Sequence, residues 1–278
     1  MSKPVDISTL SNIPETMLIT VRARAIETQS PTPHIRDPRA LEILSRISEQ
    51  DDSKKSVSPG SRVGVIVRTE FLDNIALKFA REHPNGVIVN LGAGLDARCE
   101  RLDRASTQWI DIDLPESMEV RRCFFKEDDQ YRMIAKSILD FDWMDEIDAN
   151  AAVLFLSEGV LMYLAPSDIK ALFKTLSQRF PGAQMAFDTL SVWMVKHAKI
   201  HPDVKKYQAW FKWGIDSAED VQAMVPGLKI LQCEKMMQLH KDRWPVFMKL
   251  MRILPFFKNS CTLLHVQFPP KNETETKQ

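Results

Sequence analysis

The sequence predicts an α/β fold with a mostly parallel sheet, and three observations carry that prediction. Short, nearly continuous apolar runs alternate with stretches of helical periodicity from residue 87 to residue 188, the pattern of strands buried on both faces between crossover helices. A glycine turn, Gly92-Ala93-Gly94, follows the first apolar run and precedes a helical stretch, as at the ligand-binding end of an open parallel sheet. Finally, 278 residues with 44% hydrophobic content suffice for one sizeable core without disulfides or a structural metal.

The elements follow in order. Apolar residues recur at helical spacing over residues 13–26, and Pro31, Pro33 and Pro38 break the chain before a second helical stretch begins near Arg39. Residues 50–61, QDDSKKSVSPGS, read as an exposed polar loop containing Pro59-Gly60, and residues 68–81 as an amphipathic helix with Phe71, Ile75 and Phe79 on one face. Strands are expected over 87–91, 109–113, 132–138, 151–157 and 183–188, with helices over 116–125 and 167–180, the latter opened by Ser167. Residues 191–213, rich in Trp, Lys and His, interrupt the alternation and read either as a helical cover over a pocket or as an ordinary amphipathic helix pair. Residues 228–239 and 263–268 supply two last strands, antiparallel at the sheet edge. One domain results: a helical cap (1–85), a cofactor-binding core (86–190), a lid segment (191–227), the last strands (228–268) and a frayed tail (269–278).

Composition narrows the function. Lys plus Arg and Asp plus Glu both number 37, so no excess positive charge supports nucleic-acid binding. Cys99, Cys123, Cys233 and Cys261 are scattered, without a CxxC pair, and MSKPVDISTL carries no signal-peptide succession, which points to a reducing cytoplasm. No run approaches the ~20 apolar residues of a membrane span. A soluble monomer or homodimer without a membrane partner is expected.

The glycine turn and two acidic residues carry the chemistry. Asp111 and Asp113 lie 19 residues beyond Gly92 and Gly94 respectively, where a strand-end carboxylate accepts from ribose hydroxyls; alternatively, the pair ends a strand and caps the helix after Pro115. Gly92, Gly94 and Ala97 also fit the GxGxxA form of a dinucleotide fingerprint, so an NAD(P)-dependent oxidoreductase stays open. The 86 largely helical residues before the first strand favour a methyl donor instead. His197 and His201 share a helix face but lack a third ligand and the glutamate of a zincin motif, so no metal is expected. Ser157 lacks the first glycine of a nucleophile elbow, and Cys99 reads as a buried small hydrophobe or a partly activated thiol.

Three ordered motifs, Val89-Asn90-Leu91-Gly92-Ala93-Gly94-Leu95-Asp96-Ala97-Arg98, Asp111-Ile112-Asp113-Leu114-Pro115 and Ser157-Glu158-Gly159-Val160-Leu161-Met162-Tyr163-Leu164, resemble the signatures of the leucine carboxyl methyltransferase-like family, which includes polyketide-synthesis O-methyltransferases of the tetracenomycin type. The resemblance runs from about Thr16, through Arg22-Ala23-Arg24 and Asp37-Pro38-Arg39-Ala40, to about Ser191. It implies a class I S-adenosylmethionine-dependent methyltransferase with a seven-stranded sheet and a helical cap. By the same resemblance Arg68 pairs with the donor's methionyl carboxylate, Gly92, Ala93 and Gly94 flank the methionyl part, Asp113 holds the ribose and Glu158 lies beside the donor. Ser137-Ile138 stands where the branch acting on a protein phosphatase has an adenine-contacting Asp. With Asp140 and Trp143 following, this stretch resembles the small-molecule branch.

Glu158 and Tyr163 are the catalytic candidates and Asp188 the acceptor-binding one, at or just beyond the ends of the fourth and fifth strands; for Tyr163 a packed helix aromatic is the alternative. Arg22 and Arg24 either approach the cofactor or form a solvated helix face. The expected function is O-methylation of a carboxylate or phenolic hydroxyl on a small, polyketide-like molecule. The alternatives are a protein carboxyl methyltransferase, a non-catalytic donor-binding module and the oxidoreductase.

Overall fold

The computed structural model describes residues 4–7, 16–48, 56–200, 203–204 and 209–271. Its frame is a seven-stranded sheet of β1 (Val87–Leu91), β2 (Gln108–Asp113), β3 (Tyr131–Ala135), β4 (Val153–Ser157), β5 (Gln184–Leu190), β6 (Lys229–Lys235) and β7 (Cys261–Gln267). The spatial order is β3-β2-β1-β4-β5-β7-β6. The first five strands are parallel, and β7 runs antiparallel to both β5 and β6.

All five residues of VIVNL in β1 are buried, as are all five of VLFLS in β4, because both faces of the sheet are covered. Neighbouring residues of β1 serve opposite cores. Ile88 packs with Phe71, Ile75 and Phe79 from one face, while Val87, Val89 and Leu91 pack with Ile169, Leu172, Phe173 and Leu176 on the other. The first face is closed by α1 (Met17–Thr28), α2 (Pro38–Arg46) and α3 (Pro59–Glu82), the second by α5 (Pro166–Arg179); α4 (Pro115–Arg122) follows β2.

Several boundaries differ from the sequence expectation. α3 starts at Pro59, nine residues early, so Pro59-Gly60 is its first turn and not loop. Ser58 caps it by accepting from Ser61 N–H at 3.3 Å, and proline at the first helical position forfeits no hydrogen bond. α5 opens at Pro166 after Ala165, without a side-chain cap, so Ser167 is not its cap. β3 stops at Ala135, because Ser137 N–H turns back to Asp140 Oδ2 at 3.2 Å. Of the segment 191–213, expected as a helical cover, the described residues include a short helix, Val192–Lys196, a 3-10 turn, Ala198–Ile200, a helical residue at Val204 and irregular backbone over 209–213; residues 201–202 and 205–208 lie outside the described residues. Expected structure at residues 13–15 and 50–55 and in the tail from 272 lies outside the described residues. Among the described residues, no helix is long and apolar enough to cross a membrane.

Candidate active site

A cavity of about 1140 Å³ opens at the C-terminal ends of β1, β2, β4 and β5, where ligands bind in open parallel sheets. It is larger than most single small-molecule sites, which measure about 300–1,000 Å³, and its walls divide into two chemistries. Toward β1 and β2 it is lined by the glycine turn, Asp96, Asp113 and Ser137–Leu139. Toward the late part of the chain it is lined by Tyr163, Trp193, Met194, Phe211, Met236, Met237, Trp244 and Met248.

The turn at the end of β1 demands glycine twice. Gly92 and Gly94 sit at φ +71° and +49°, the left-handed region that a Cβ penalises. A Cβ on Gly92 would also stand 2.5 Å from Val160 Cγ2. The backbone N–H groups of this turn are already engaged: Gly92 and Ala93 donate to Ile112 O at 2.8 and 3.1 Å, and Gly94 donates to Asp113 Oδ2 at 2.5 Å. On the carbonyl side, two buried arginines hold the loop. Arg121 Nη1 donates to Gly94 O at 2.8 Å and Arg24 Nη2 to Leu95 O at 3.0 Å. The turn is therefore a rigid wall of the cavity, and not a nest of free donors for a pyrophosphate.

Asp113 faces the cavity, with Oδ1 accepting from Leu114 N–H at 2.7 Å; burial pushes its pKa up, against the hydrogen bonds it accepts from Gly94 and Leu114. Asp111, its partner in the sequence reading, does not line the cavity. It is fully buried, accepts from Trp109 Nε1 at 2.8 Å and pairs with Arg121, so it reaches the site only through the Arg121 hydrogen bond to the turn.

Glu158 is the centre of a buried ionic network. Oε1 accepts from Arg68 Nε at 3.0 Å and Thr69 Oγ1 at 3.1 Å, and Oε2 pairs with Arg98 Nη2. Burial alone would raise its pKa, but the Arg98 and Arg68 guanidiniums outweigh that and hold it below the ordinary value. Arg98 also binds Asp96 and Asp73, both at 2.6 Å. Arg68 extends to Asp188 Oδ2 at 3.3 Å, while Asp188 Oδ1 accepts from Gly159 N–H at 2.6 Å. Burial dominates at Asp188 and raises its pKa despite Arg68. Tyr163 is likewise raised by burial, so its hydroxyl keeps its proton, and its ring packs on Phe211 at 5.5 Å.

The structure thus brings Arg68, Gly92, Ala93, Gly94, Asp113, Ser137, Ile138, Glu158, Tyr163 and Asp188 to one cavity and leaves Asp111 behind it. Arg22 and Arg24 are buried, not solvated. Asp73, Thr69, Asp96 and Arg98 went without a role in the sequence reading, as did the methionine and aromatic wall from residues 236–248. Arg98, directly after the glycine turn, was the one local signal of that network. Ser157 is buried in β4 with Oγ toward Leu91 O at 3.4 Å, and burial pushes the Cys99 thiol pKa up, so neither is an activated nucleophile. His197 stacks on Trp193 at 4.3 Å, while His201 lies outside the described residues.

Comparison with known proteins agrees with this geometry. Residues 17–177 match the model of the family described as leucine carboxyl methyltransferase. The chain belongs to the leucine carboxyl methyltransferase family. It is 33% identical over 221 residues to the tetracenomycin polyketide synthesis O-methyltransferase TcmP of Streptomyces glaucescens, covering 79% of this chain and 82% of that one. It is 28% identical over 254 residues to the S-adenosyl-L-methionine-dependent methyltransferase dpfgK of Gibberella zeae, covering 84% of each. The fold is similar to the crystal structure of a putative methyltransferase from Thermobifida fusca, with a TM-score of 0.58 at 14% identity, covering 97% of this chain and 96% of that one.

Membership makes the protein an S-adenosylmethionine-dependent methyltransferase, and the cavity fits that donor better than a dinucleotide. The N–H groups of the glycine turn are spent on β2, and among the described lining residues six are acidic (Asp96, Asp113, Glu116, Glu158, Asp168, Asp188) against three basic (Arg24, Arg68, Lys212). Three of these carboxylates, Asp96, Glu158 and Asp188, pair with Arg68 or Arg98, so it is the glycine turn, its N–H groups engaged, that disfavours a pyrophosphate. The sheet agrees: reversed β7, inserted between β5 and β6, departs from the six-strand order 3-2-1-4-5-6 of dinucleotide-binding folds. The oxidoreductase reading is set aside.

Proposed function

We propose that the protein methylates an oxygen atom of an apolar, aromatic small molecule, a phenol or a carboxylic acid of polyketide-like character. The observation that supports this most directly is the methionine and aromatic half of the cavity, Trp193, Phe211, Met236, Met237, Trp244 and Met248, continuous with the acidic half. Such a wall binds flat apolar rings by burial and sulfur-aromatic contact. The 33% identity to an O-methyltransferase of polyketide synthesis supports the same acceptor class.

Bound S-adenosylmethionine supplies an electrophilic methyl group. On the protein side, Asp113 would accept from the donor's ribose hydroxyls, Arg68 would meet its methionyl carboxylate, and Ser137 and Ile138 would flank its adenine. Glu158 has both oxygens engaged and is held ionised, so its part is to fix Arg68 and not to move a proton. Tyr163 donates a hydrogen bond to the acceptor or its neighbouring oxygen, and Asp188, with a raised pKa, stands beside it as the acceptor-side carboxyl. Positioning of the nucleophile carries the acceleration, since effective molarities of well-oriented groups reach about 10⁵–10⁸ M.

The test is a panel of aromatic phenols and carboxylic acids with labelled donor, alongside a polypeptide bearing a free C-terminal carboxylate. Label is expected in a small aromatic acceptor. A phenol should react faster as pH rises toward its pKa of about 10, whereas a carboxylate, ionised above about pH 5, should give a flat profile. Label entering only the polypeptide would overturn the acceptor class, and no label in any acceptor despite donor binding would favour a non-catalytic module.

A further inference from the structure

Outside the cavity, two of the six histidines of the chain converge on one carboxylate. His34 comes from the α1–α2 connection, Glu70 from the middle of α3 and His240 from the segment after β6. One nitrogen of each imidazole and one carboxylate oxygen lie within 4.8 Å of one another. His34 Nδ1 stands 3.7 Å from Glu70 Oε1, His240 Nε2 hydrogen-bonds Glu70 Oε2, and the two rings meet edge to face at 4.2 Å. We propose that His34, Glu70 and His240 form a binding site for a divalent transition ion of the zinc class, which clasps the wall of the cavity to the helical cap.

The donor set is the first argument. Two imidazoles and a carboxylate suit a borderline divalent ion. With bonds of about 2.0–2.2 Å and tetrahedral angles, ligand atoms stand about 3.4 Å apart. The His34–Glu70 gap of 3.7 Å is already close to that separation, and His240 Nε2 meets the other oxygen of the same carboxylate. His34 is exposed and the other two half-buried, which leaves the fourth position open to water.

The framing of the site is the second argument. Glu27, immediately beside it, is neutralised by a two-pronged pair with Arg243 at 2.6 and 2.8 Å and accepts from His34 N–H at 2.8 Å. The His34 and His240 arms are thus set in place without the ion, and Glu70 faces both imidazoles, with Arg243, itself paired to Glu27, within electrostatic reach. His240 holds φ +41°, a conformation costly for a residue with a Cβ and one that persists where surrounding contacts enforce it. His240 lies between Met237 and Trp244, both of which line the cavity, so an ion there would tie the acceptor wall to α3 and the cap.

The experiment uses the full chain stripped of metal, titrated with cobalt(II) as a spectroscopic probe and then with zinc. The proposal expects one equivalent of cobalt with the strong visible absorption of a four-coordinate site, displaced by zinc, and a rise of about 5 °C in thermal midpoint at a hundredfold excess of zinc over its Kd. Glu70→Gln and His240→Ala should weaken binding at least tenfold while leaving S-adenosylhomocysteine binding intact, because none of the three residues lines the cavity. If His240→Ala does not fold, His34→Gln, altering the most exposed imidazole, carries the same expectation. Absence of the cobalt signal, or a signal unchanged in these variants, would overturn the assignment.

Discussion

Gly92→Ala should cost stability through two separable effects. At φ +71° an alanine loses about 1–2 kcal/mol relative to an unstrained backbone. Its Cβ would also stand 2.5 and 2.9 Å from the two γ-carbons of Val160, a collision whose relief by local shifts costs about 1–3 kcal/mol. The smaller entropy of the unfolded alanine chain returns about 0.4–1 kcal/mol, leaving a net loss of about 2–4 kcal/mol. Urea unfolding at neutral pH, with the slope unchanged, measures it. Val160→Ala removes both γ-carbons, so the double variant should recover the collision part and show a coupling of about 1–3 kcal/mol, while the dihedral cost persists. A loss below about 0.5 kcal/mol, or strict additivity with Val160→Ala, would refute the close-packed turn described here.

Three further outcomes follow from the same geometry. Glu158→Gln leaves half-buried Arg68 with Asp188 alone and buried Arg98 with Asp96 and Asp73 and should lower stability by about 1.5–3 kcal/mol in urea through lost charged hydrogen bonds, with turnover falling at saturating donor; unchanged turnover would remove Glu158 from the site. His265, held by Gln184 at 2.8 Å, has its pKa lowered by burial to about 4, whereas the unfolded imidazole takes its proton near 6.5. Its contribution is present above pH 6.5 and lost as pH falls toward 4, so stability should drop by about 2–3 kcal/mol between pH 7.5 and 4.5, and the drop should shrink in His265→Gln. Trp193→Ala should raise the acceptor KM roughly tenfold through lost aromatic contact while leaving S-adenosylhomocysteine affinity unchanged, as measured by paired kinetics and calorimetry.

The sheet was legible because its strands are buried runs that local sequence displays: VIVNL and VLFLS leave little else for the chain to be. The glycine turn and Asp113 were legible for a similar reason, since backbone conformation and strand-end position are local properties. Asp111 was misread because its partner, Arg121, arrives from α4, and sequence spacing does not show which carboxylate a buried arginine will claim. Pro59 was read as a loop residue because a polar run precedes it, although Ser58-Pro59 is itself a helix-start signal. The Arg98 network joins segments up to 120 residues apart, as Arg68 and Asp188 show, and the His240–Glu70 contact spans 170; no periodicity records such a meeting. Within 191–213, Trp193 reaches the cavity from the short helix Val192–Lys196 and Phe211 from irregular backbone, where it meets Tyr163, a pairing that no single periodicity displays.

Asp113, beside the glycine turn, is the residue proposed to hold the ribose of a nucleoside sulfonium donor in the cavity. The most direct measurement is calorimetric titration of the native protein and Asp113→Ala with S-adenosylhomocysteine, with NAD as control. The account predicts one site per chain in the native protein, no NAD binding, and an affinity lowered in the variant by about 1.5–3 kcal/mol, or roughly 10- to 150-fold. Saturable NAD binding without S-adenosylhomocysteine binding, or equal affinity of the variant and the native protein, would contradict it.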